Sequence, residues 1–273
     1  MKRTTTVLAI VAMAALALTA LSANAAPISV DSSAHWQTST GNFDASGSDK
    51  LVVVVTGEHG FNQTGNGSVG DVTYDGVLMT QLVYRTTIKA VADDVNTAED
   101  ETVLVDDTWN AIYYLDSPAT STGLISVIWS SRGNVAVVGL SNTAAGAGNT
   151  VIGARDTNTA DLTTSADSIV IGSYGLGGTG NTAALAPITT PDWDAEIVRQ
   201  EEGSNWDGHV VAYQNGVAAG TTDYTFDDTT VPAADGRTGR HVIAAEFTAV
   251  PEPATMALLG FGGLALLRRR RKA

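Results

Sequence analysis

The chain has no cysteine among its 273 residues. This absence excludes disulfide bonds as a source of stability and a thiol as a nucleophile. The sequence also lacks a Gly-x-Ser-x-Gly nucleophile elbow. Its four histidines lie far apart without a spacing such as His-x-x-x-His, so we interpret each as a strand or loop residue rather than a metal ligand: His35, His59, His209 and His241. We therefore expect no enzymatic activity.

The C-terminal segment, residues 250–273, contains three parts in sequence. Pro251 and Pro253 each fix their own φ, and Pro253 also biases Glu252 toward an extended backbone, so the tripeptide is stiff. An apolar run covers residues 254–267. Five consecutive basic residues end it: Arg268, Arg269, Arg270, Arg271 and Lys272.

The apolar run of the tail predicts a membrane helix, residues 254–267. As a helix it would span about 21 Å, which is short of the roughly 30 Å hydrocarbon core and by itself would fit a buried core helix. Snorkelling arginines and local bilayer thinning can accommodate the difference. The run also contains the glycines that membrane helices tolerate: Gly260, Gly262 and Gly263.

The tripeptide, the apolar run and the arginine cluster together resemble the PEP-CTERM signal of Gram-negative bacteria. Pro251-Glu252-Pro253 matches the motif of that signal letter for letter. The resemblance implies a partner, an exosortase, which is a membrane transpeptidase-like cysteine enzyme that recognises the tripeptide and cleaves near it. It also implies that residues 254–267 act as an anchor and the basic cluster as a stop-transfer signal.

The N-terminus predicts a secretory signal peptide with a signal helix, residues 1–25. Two basic residues precede an apolar stretch from Val7 to Leu21, and small residues follow. We expect signal peptidase to cut after the second alanine of an Ala-x-Ala site, which involves Ala23, Ala25 and Ala26. The exported body, residues 26–249, would then lie outside the inner membrane, with the basic end of the tail inside.

Positive charge is scarce in the expected body. The whole chain has 15 Lys and Arg against 29 Asp and Glu, but seven of the cations and one of the acids lie in the two targeting segments. The body keeps 8 basic and 28 acidic residues, a net charge of −20. Such a surface repels polynucleotides, so a nucleic-acid partner is excluded.

The body predicts an all-β fold, because short β-branched and aromatic runs alternate with turn-forming clusters. Leu51–Val55 is continuously apolar, which indicates a central strand buried on both sides. Asp75-Gly76 between two such runs indicates a type I′ hairpin. Ten strands are expected: Lys50 to Thr56, Val69 to Tyr74, Leu78 to Arg85, Trp109 to Leu115, Leu124 to Ser130, Asn134 to Leu140, Ser168 to Tyr174, Ala195 to Gln200, His209 to Tyr213 and Arg240 to Thr248.

Many short strands at this length favour a single antiparallel β-sandwich of jelly-roll type. The region from Val72 to Ser130 also resembles a pattern in secreted bacterial sandwich domains. The pattern contains a Tyr-x-Gly hairpin, a strand with Trp109 that ends at Pro118, and a further strand. This resemblance implies a fold and no activity. The polar stretch from Ala90 to Asp107 is expected to be an excursion on the surface.

Three segments of the body could carry chemistry. Gly175 to Gly180 satisfies Gly-x-Gly-x-x-Gly, but Pro187 and the absence of a βαβ pattern favour a flexible loop over a dinucleotide site. Acidic clusters without EF-hand spacing favour a solvated loop, with Asp106 and Asp107 as the alternative calcium ligands. A third segment alternates acids around a tryptophan, as a glycosidase or sugar site could: Asp192, Trp193, Asp194, Glu196 and the more distant Trp206.

Two functions from different classes remain open. In the first, the protein is sorted to the cell envelope or an extracellular polysaccharide matrix and has a structural or adhesive role. In the second, the sandwich binds or cleaves carbohydrate, with tryptophan side chains stacked on sugar rings. Burial of Trp193 and Trp206 would favour the structural role, whereas an exposed tryptophan beside two carboxylates would favour the carbohydrate role.

Overall fold

The computed structural model describes residues 26–58, 68–91, 103–119, 121–129, 132–154, 157–176, 193–201, 208–226 and 240–250. These residues form strands and turns and contain no helix. Sixteen strands lie within these ranges: β1 (Ser29–Trp36), β2 (Thr40–Asp44), β3 (Lys50–Glu58), β4 (Val69–Tyr74), β5 (Val77–Leu78), β6 (Thr80–Val91), β7 (Val103–Asp116), β8 (Thr122–Trp129), β9 (Arg132–Ser141), β10 (Thr150–Ile152), β11 (Thr159–Thr164), β12 (Ser168–Leu176), β13 (Ala195–Glu201), β14 (Gly208–Val217), β15 (Gly220–Thr225) and β16 (Arg240–Phe247).

The described strands form four sheets in which every pairing is antiparallel. The first inner sheet has the order β1-β9-β3-β7-β6, and the second inner sheet has the order β10-β16-β12-β14-β13. The first outer sheet has the order β2-β8-β4-β5, and the second outer sheet pairs β11 with β15. The predicted all-β, antiparallel class is confirmed, and the jelly-roll type stays a prediction.

Strand β3 lies at the centre of the first inner sheet and is buried on both faces, as its apolar run predicts. Successive side chains of a strand point to opposite faces. Leu51, Val53 and Val55 therefore pack with the first outer sheet, in a core that includes Tyr74. Val52 and Val54 lie on the opposite face, toward the second inner sheet.

The second inner sheet repeats this arrangement. Val170 and Tyr174 of β12 pack with β11 and β15 of the second outer sheet, in a core that includes Phe226. Ile171, on the other face of β12, is also fully buried, and β12 contacts both β3 and β7. The order of layers is therefore outer, inner, inner, outer, and each inner sheet needs apolar residues on both of its faces.

The turn between β4 and β5 is the predicted type I′ hairpin. Asp75 has φ of 50° and Gly76 has φ of 78°, and Tyr74 pairs with Val77 across the turn. Positive φ at both central residues defines this turn type, whose twist matches that of the flanking strands. The Asp75 carboxylate also accepts a hydrogen bond from the backbone N–H of Leu124, at 2.7 Å, and so attaches the turn to β8.

All ten expected strands are present, with three kinds of correction. The segment Leu78 to Arg85 is two strands, because the Met79 N–H bonds to the Val72 carbonyl between them. The expected excursion 90–107 is wrong at its ends, since β6 continues to Val91 and pairs there with Val103. Valine is a residue type that is enriched in strands. The remaining strands were not expected because they are short or rich in small polar residues: β1, β2, β10, β11 and β15.

The two expected terminal helices lie outside the described residues. Within the described ranges, no helix is long and apolar enough to cross a bilayer.

The double burial of β3 generates a first prediction. Val53→Ala leaves a cavity between the first inner and first outer sheets, so we expect the free energy of unfolding to fall by about 1 to 3 kcal/mol. Chemical denaturation of the parent and variant chains measures this change. Val77→Ala is the matched control, because Val77 is 53% exposed and its truncation should cost no more than about 0.5 kcal/mol. Equal losses in the two variants would contradict the proposed packing.

Candidate functional site

The predicted sugar platform Trp193 is buried in the core between the second inner and second outer sheets. Only 8% of its surface is exposed, and its indole Nε1 donates to the Thr225 carbonyl at 3.1 Å. Its ring lies 5.1 Å from that of Tyr224 and 4.9 Å from that of Phe226, between ring centroids. A tryptophan held in this way cannot stack on a sugar ring at the surface.

The absence of a side chain at a glycine leaves space for the Trp193 indole. Gly172 of β12 lies directly under the ring, and a Cβ atom at this position would overlap it. The glycine is therefore required by the aromatic side chain rather than by a turn. Trp206, the second predicted platform, lies outside the described residues, as does Asp192.

The two described acids of this segment are exposed. Asp194 accepts a hydrogen bond from the backbone N–H of Asn215, at 2.7 Å, which connects the start of β13 to β14. Glu196 lies two residues further along and pairs with Ala212 in the register of these strands. Asp194 therefore has a structural partner, and the buried Trp193 beside it provides no sugar-binding surface.

The alternative calcium ligands Asp106 and Asp107 lie in strand β7 rather than in a loop. Asp106 pairs with Ile88 in the register of β6 and β7. Across the described part of the chain, no group of three His, Asp or Glu side chains is placed to hold a metal ion. A calcium site at Asp106 and Asp107 stays a prediction.

The expected flexible loop at Gly175–Gly180 begins inside a strand. Gly175 and Leu176 are the last residues of β12, which is antiparallel to both of its neighbours, β14 and β16. Residues 177–180 lie outside the described residues. A dinucleotide-binding glycine motif instead joins a parallel strand to a helix, and β12 has neither a parallel neighbour nor a following helix among the described residues.

Two histidines that are distant in sequence meet in the second inner sheet. His209 of β14 and His241 of β16 both pair with Gly175 of β12, one on each side. Both side chains are buried, and both residues lie in strands. Their meeting was not predicted, because a pairing register between distant strands has no local sequence signal.

A buried amide joins this histidine pair to the first inner sheet. With the Asn110 side chain oriented so that its oxygen faces donors, that oxygen accepts from His241 Nε2, Ser173 Oγ and the Gly175 N–H, each at 3.1 Å. His209 Nδ1 has no hydrogen-bond partner among the described residues. The group is a buried polar contact between the two inner sheets.

Burial keeps both histidines neutral. It lowers the pKa of His209 to about 4 and, with added repulsion from His209 and Arg85, the pKa of His241 to about 3. Desolvation disfavours the charged imidazolium. These histidines can contribute to the pH dependence of stability.

Two further carboxyl groups meet in the second outer sheet. Asp161 of β11 lies directly opposite Asp223 of β15. The hydrogen bond with Asp161, together with repulsion between the two charges, raises the pKa of Asp223. Both side chains are exposed. The sequence contains no signal that these two acids are opposite each other.

Neutral buried histidines generate a second prediction. Between pH 6.5 and about 4 the unfolded chain binds protons at these positions that the folded chain does not, so the free energy of unfolding should fall as the pH falls. His209→Leu removes one such group. The slope of the free energy of unfolding against pH should therefore decrease by up to about 1.4 kcal/mol per pH unit. Denaturant titrations at a series of pH values measure both slopes. Identical slopes for the parent and the variant would show that the folded chain does not hold His209 in its neutral form.

Most of the sorting residues expected from the sequence lie outside the described residues. Ala26 is described and exposed, whereas Ala23 and Ala25 lie outside the described residues, as do residues 251–273. The Thr248 carbonyl, one residue after β16, accepts a hydrogen bond from the Ala144 N–H at 2.8 Å. In the sequence, two residues separate Thr248 from Pro251.

Comparison with known proteins gives one match, in the tail. Residues 249–272 match the family model described as the PEP-CTERM protein-sorting motif. The chain matches no curated protein and no solved structure. The match covers the same three parts of the tail from which the resemblance was recognised. The chain therefore carries a PEP-CTERM protein-sorting motif, which marks it as an exported protein that is sorted by an exosortase.

Proposed function

We propose that the body is a non-enzymatic module with a structural or adhesive role in the cell envelope or an extracellular polysaccharide matrix. The observation that carries this proposal is the burial of Trp193, one of the two tryptophans expected from the sequence as sugar platforms. Asp194 beside it bonds to the backbone of β14. Trp193 is therefore not available as a surface platform for a sugar ring, and one oxygen of Asp194 already has a structural partner.

The architecture of the body is consistent with a mechanical or adhesive role. The central strands of the two inner sheets bury apolar residues on both faces, and this stabilises a fold that has no disulfide among its described residues. The body has a net charge of −20, which keeps it soluble outside the cell. We expected a jelly-roll sandwich for such a module, and this finer topology remains part of the proposal.

The two ends of the chain have separate roles in this proposal. Signal peptidase cuts after Ala25 and releases a body that begins three residues before β1. Exosortase recognises the tripeptide Pro251-Glu252-Pro253 while residues 254–267 hold the chain in the inner membrane. The basic cluster from Arg268 to Lys272 stays on the inner side, because clustered cations resist translocation.

Exchange of the central acid of the tripeptide tests the sorting step. In Glu252→Ala, export should continue, because the signal peptide is unchanged. Maturation should stop, because the tripeptide has lost its one charged group. We expect an uncut, membrane-retained form in place of the mature form, measured by pulse-labelling and fractionation of cells that produce the full chain.

The matched control is Asp71→Ala, which removes an acid that is exposed on β4 of the body. This variant should mature at the rate of the parent chain, because the enzyme does not read the body. Normal maturation of Glu252→Ala would show that the tripeptide is not the recognition element.

A binding measurement tests the role of the body. Because Trp193 is buried, the mature protein should show no selective, saturable binding to individual sugars on a glycan array. An adhesive or structural role would instead give weak retention on the cell's own extracellular polysaccharide, measured by co-sedimentation. Strong binding to one oligosaccharide would support the carbohydrate function instead. Loss of that binding in Trp206→Ala would assign it to the second tryptophan.

A further inference from the structure

Lys50, the first residue of β3, is a lysine with no exposed surface. Its Nζ contacts Asp116 Oδ1 and donates to the Gly146 carbonyl at 2.6 Å. The ring centroids of Tyr114 and Phe247 lie 4.8 Å and 5.8 Å from the same nitrogen. Lysines are almost never fully buried unless they are paired. Here the charged partner is the Asp116 carboxyl group, and the Gly146 carbonyl and two aromatic rings also surround the nitrogen.

The register of the first inner sheet holds Lys50 and Asp116 side by side. The two residues are direct partners at the end of the β3 and β7 ladder, 66 residues apart in sequence. Directly opposed side chains on neighbouring strands lie on the same face of the sheet. The contact is therefore imposed by the backbone pairing and does not depend on a flexible loop.

Gly146, which lies in a third segment of the chain, forms hydrogen bonds with both Lys50 and Asp116. Its carbonyl accepts from Lys50 Nζ, and its N–H donates to Asp116 Oδ2 at 2.8 Å. The residue has φ of 79°, a conformation that favours glycine. The N–H is aimed at the oxygen on which negative charge would develop if the Asp116 carbonyl carbon were attacked, as in an oxyanion hole.

We propose that Lys50 and Asp116 are joined by an isopeptide bond that forms spontaneously within the folded body. One proton passes from the ammonium to the carboxylate, and the neutral amine attacks Cγ of Asp116. The C–N bond forms and one C–O bond breaks. One water leaves with a carboxyl oxygen, the transferred proton and a second hydrogen of the amine. The product is a neutral secondary amide, and no oxidant or external reagent is consumed.

Burial of the lysine supports this reaction. Desolvation lowers the pKa of Lys50 below its ordinary value, although the contact with Asp116 opposes the shift. A lower pKa increases the share of neutral amine, which is the nucleophilic form. Asp116 is 36% exposed and gives the leaving water a path to solvent. Formation of an amide also removes two charges from a site where charges are costly.

The bond would connect β3 and β7 covalently in a chain without cysteine. A cross-link between residues that are far apart in sequence lowers the conformational entropy of the unfolded chain, as a disulfide does. It would therefore supply the kind of covalent stability that secreted proteins commonly take from disulfides. This inference does not rest on the proposed role of the body.

Peptide mass spectrometry tests the bond directly. The full-length chain, isolated from cells in its folded state, is denatured and digested with a protease. We expect one branched peptide that contains both Lys50 and Asp116. Its mass should equal that of the two linear peptides less one water, and fragmentation should place the link between these two residues. Recovery of the two linear peptides at their unmodified masses would overturn the proposal.

Two variants sharpen the assignment. In Asp116→Asn the leaving group is ammonia instead of water, so the branched peptide should have the same mass as in the parent chain. Lys50→Met replaces the amine with an apolar side chain of similar length. This variant should give two linear peptides. A branched peptide of this region in Lys50→Met would place the link elsewhere and would also overturn the proposal.

Discussion

Burial of the central strands of the inner sheets on both of their faces is the constraint on which the rest of this body depends. A central strand of a sheet that lies between two other layers cannot use the usual alternation of apolar and polar residues, because neither of its faces reaches water. The run Leu51–Val55 satisfies this requirement in β3, and Ile169–Ile171 does so in β12. The cost of a polar group in these strands is high, since water cannot satisfy it there. The outer sheets have one free face and tolerate exposed side chains such as Leu124 and Ile128.

Several of the polar groups that enter the interior are held by specific partners. Glu246 is an example: burial raises its pKa, but hydrogen bonds from the backbone N–H groups of Ser165 and Asn149 lower it below the ordinary value. The histidine pair beside Asn110 is kept neutral instead, and Lys50 is held between Asp116, Gly146 and two aromatic rings. Each of these contacts connects segments that are distant in the chain. These contacts therefore add specificity to a stack of sheets whose apolar contacts alone would permit more than one register.

The functional organisation separates sorting from the body that is sorted. The PEP-CTERM motif at residues 249–272 directs the chain, and the strands of the body end just before it, at Phe247. Pro253 of the sorting signal biases the preceding residue toward an extended backbone without help from a fold. The body has the opposite requirement, because its stability outside the cell depends on a closed core. This is why Trp193, which looked like a ligand platform in the sequence, serves as a core residue over Gly172.

The amino-acid sequence by itself determined the sorting tail, the all-β class, the central position of β3 and the type I′ turn at Asp75-Gly76. Each of these is encoded within a few neighbouring residues, through proline geometry, apolar runs or turn preference. Only the tertiary structure decided that His209 meets His241, that Asp161 meets Asp223, and that Lys50 lies against Asp116. It also decided that weakly patterned segments such as β1 and β11 become strands. The physical reason is that a pairing register and the stacking of sheets are set by the packing of the whole body, and residues far apart in the chain carry no local record of it.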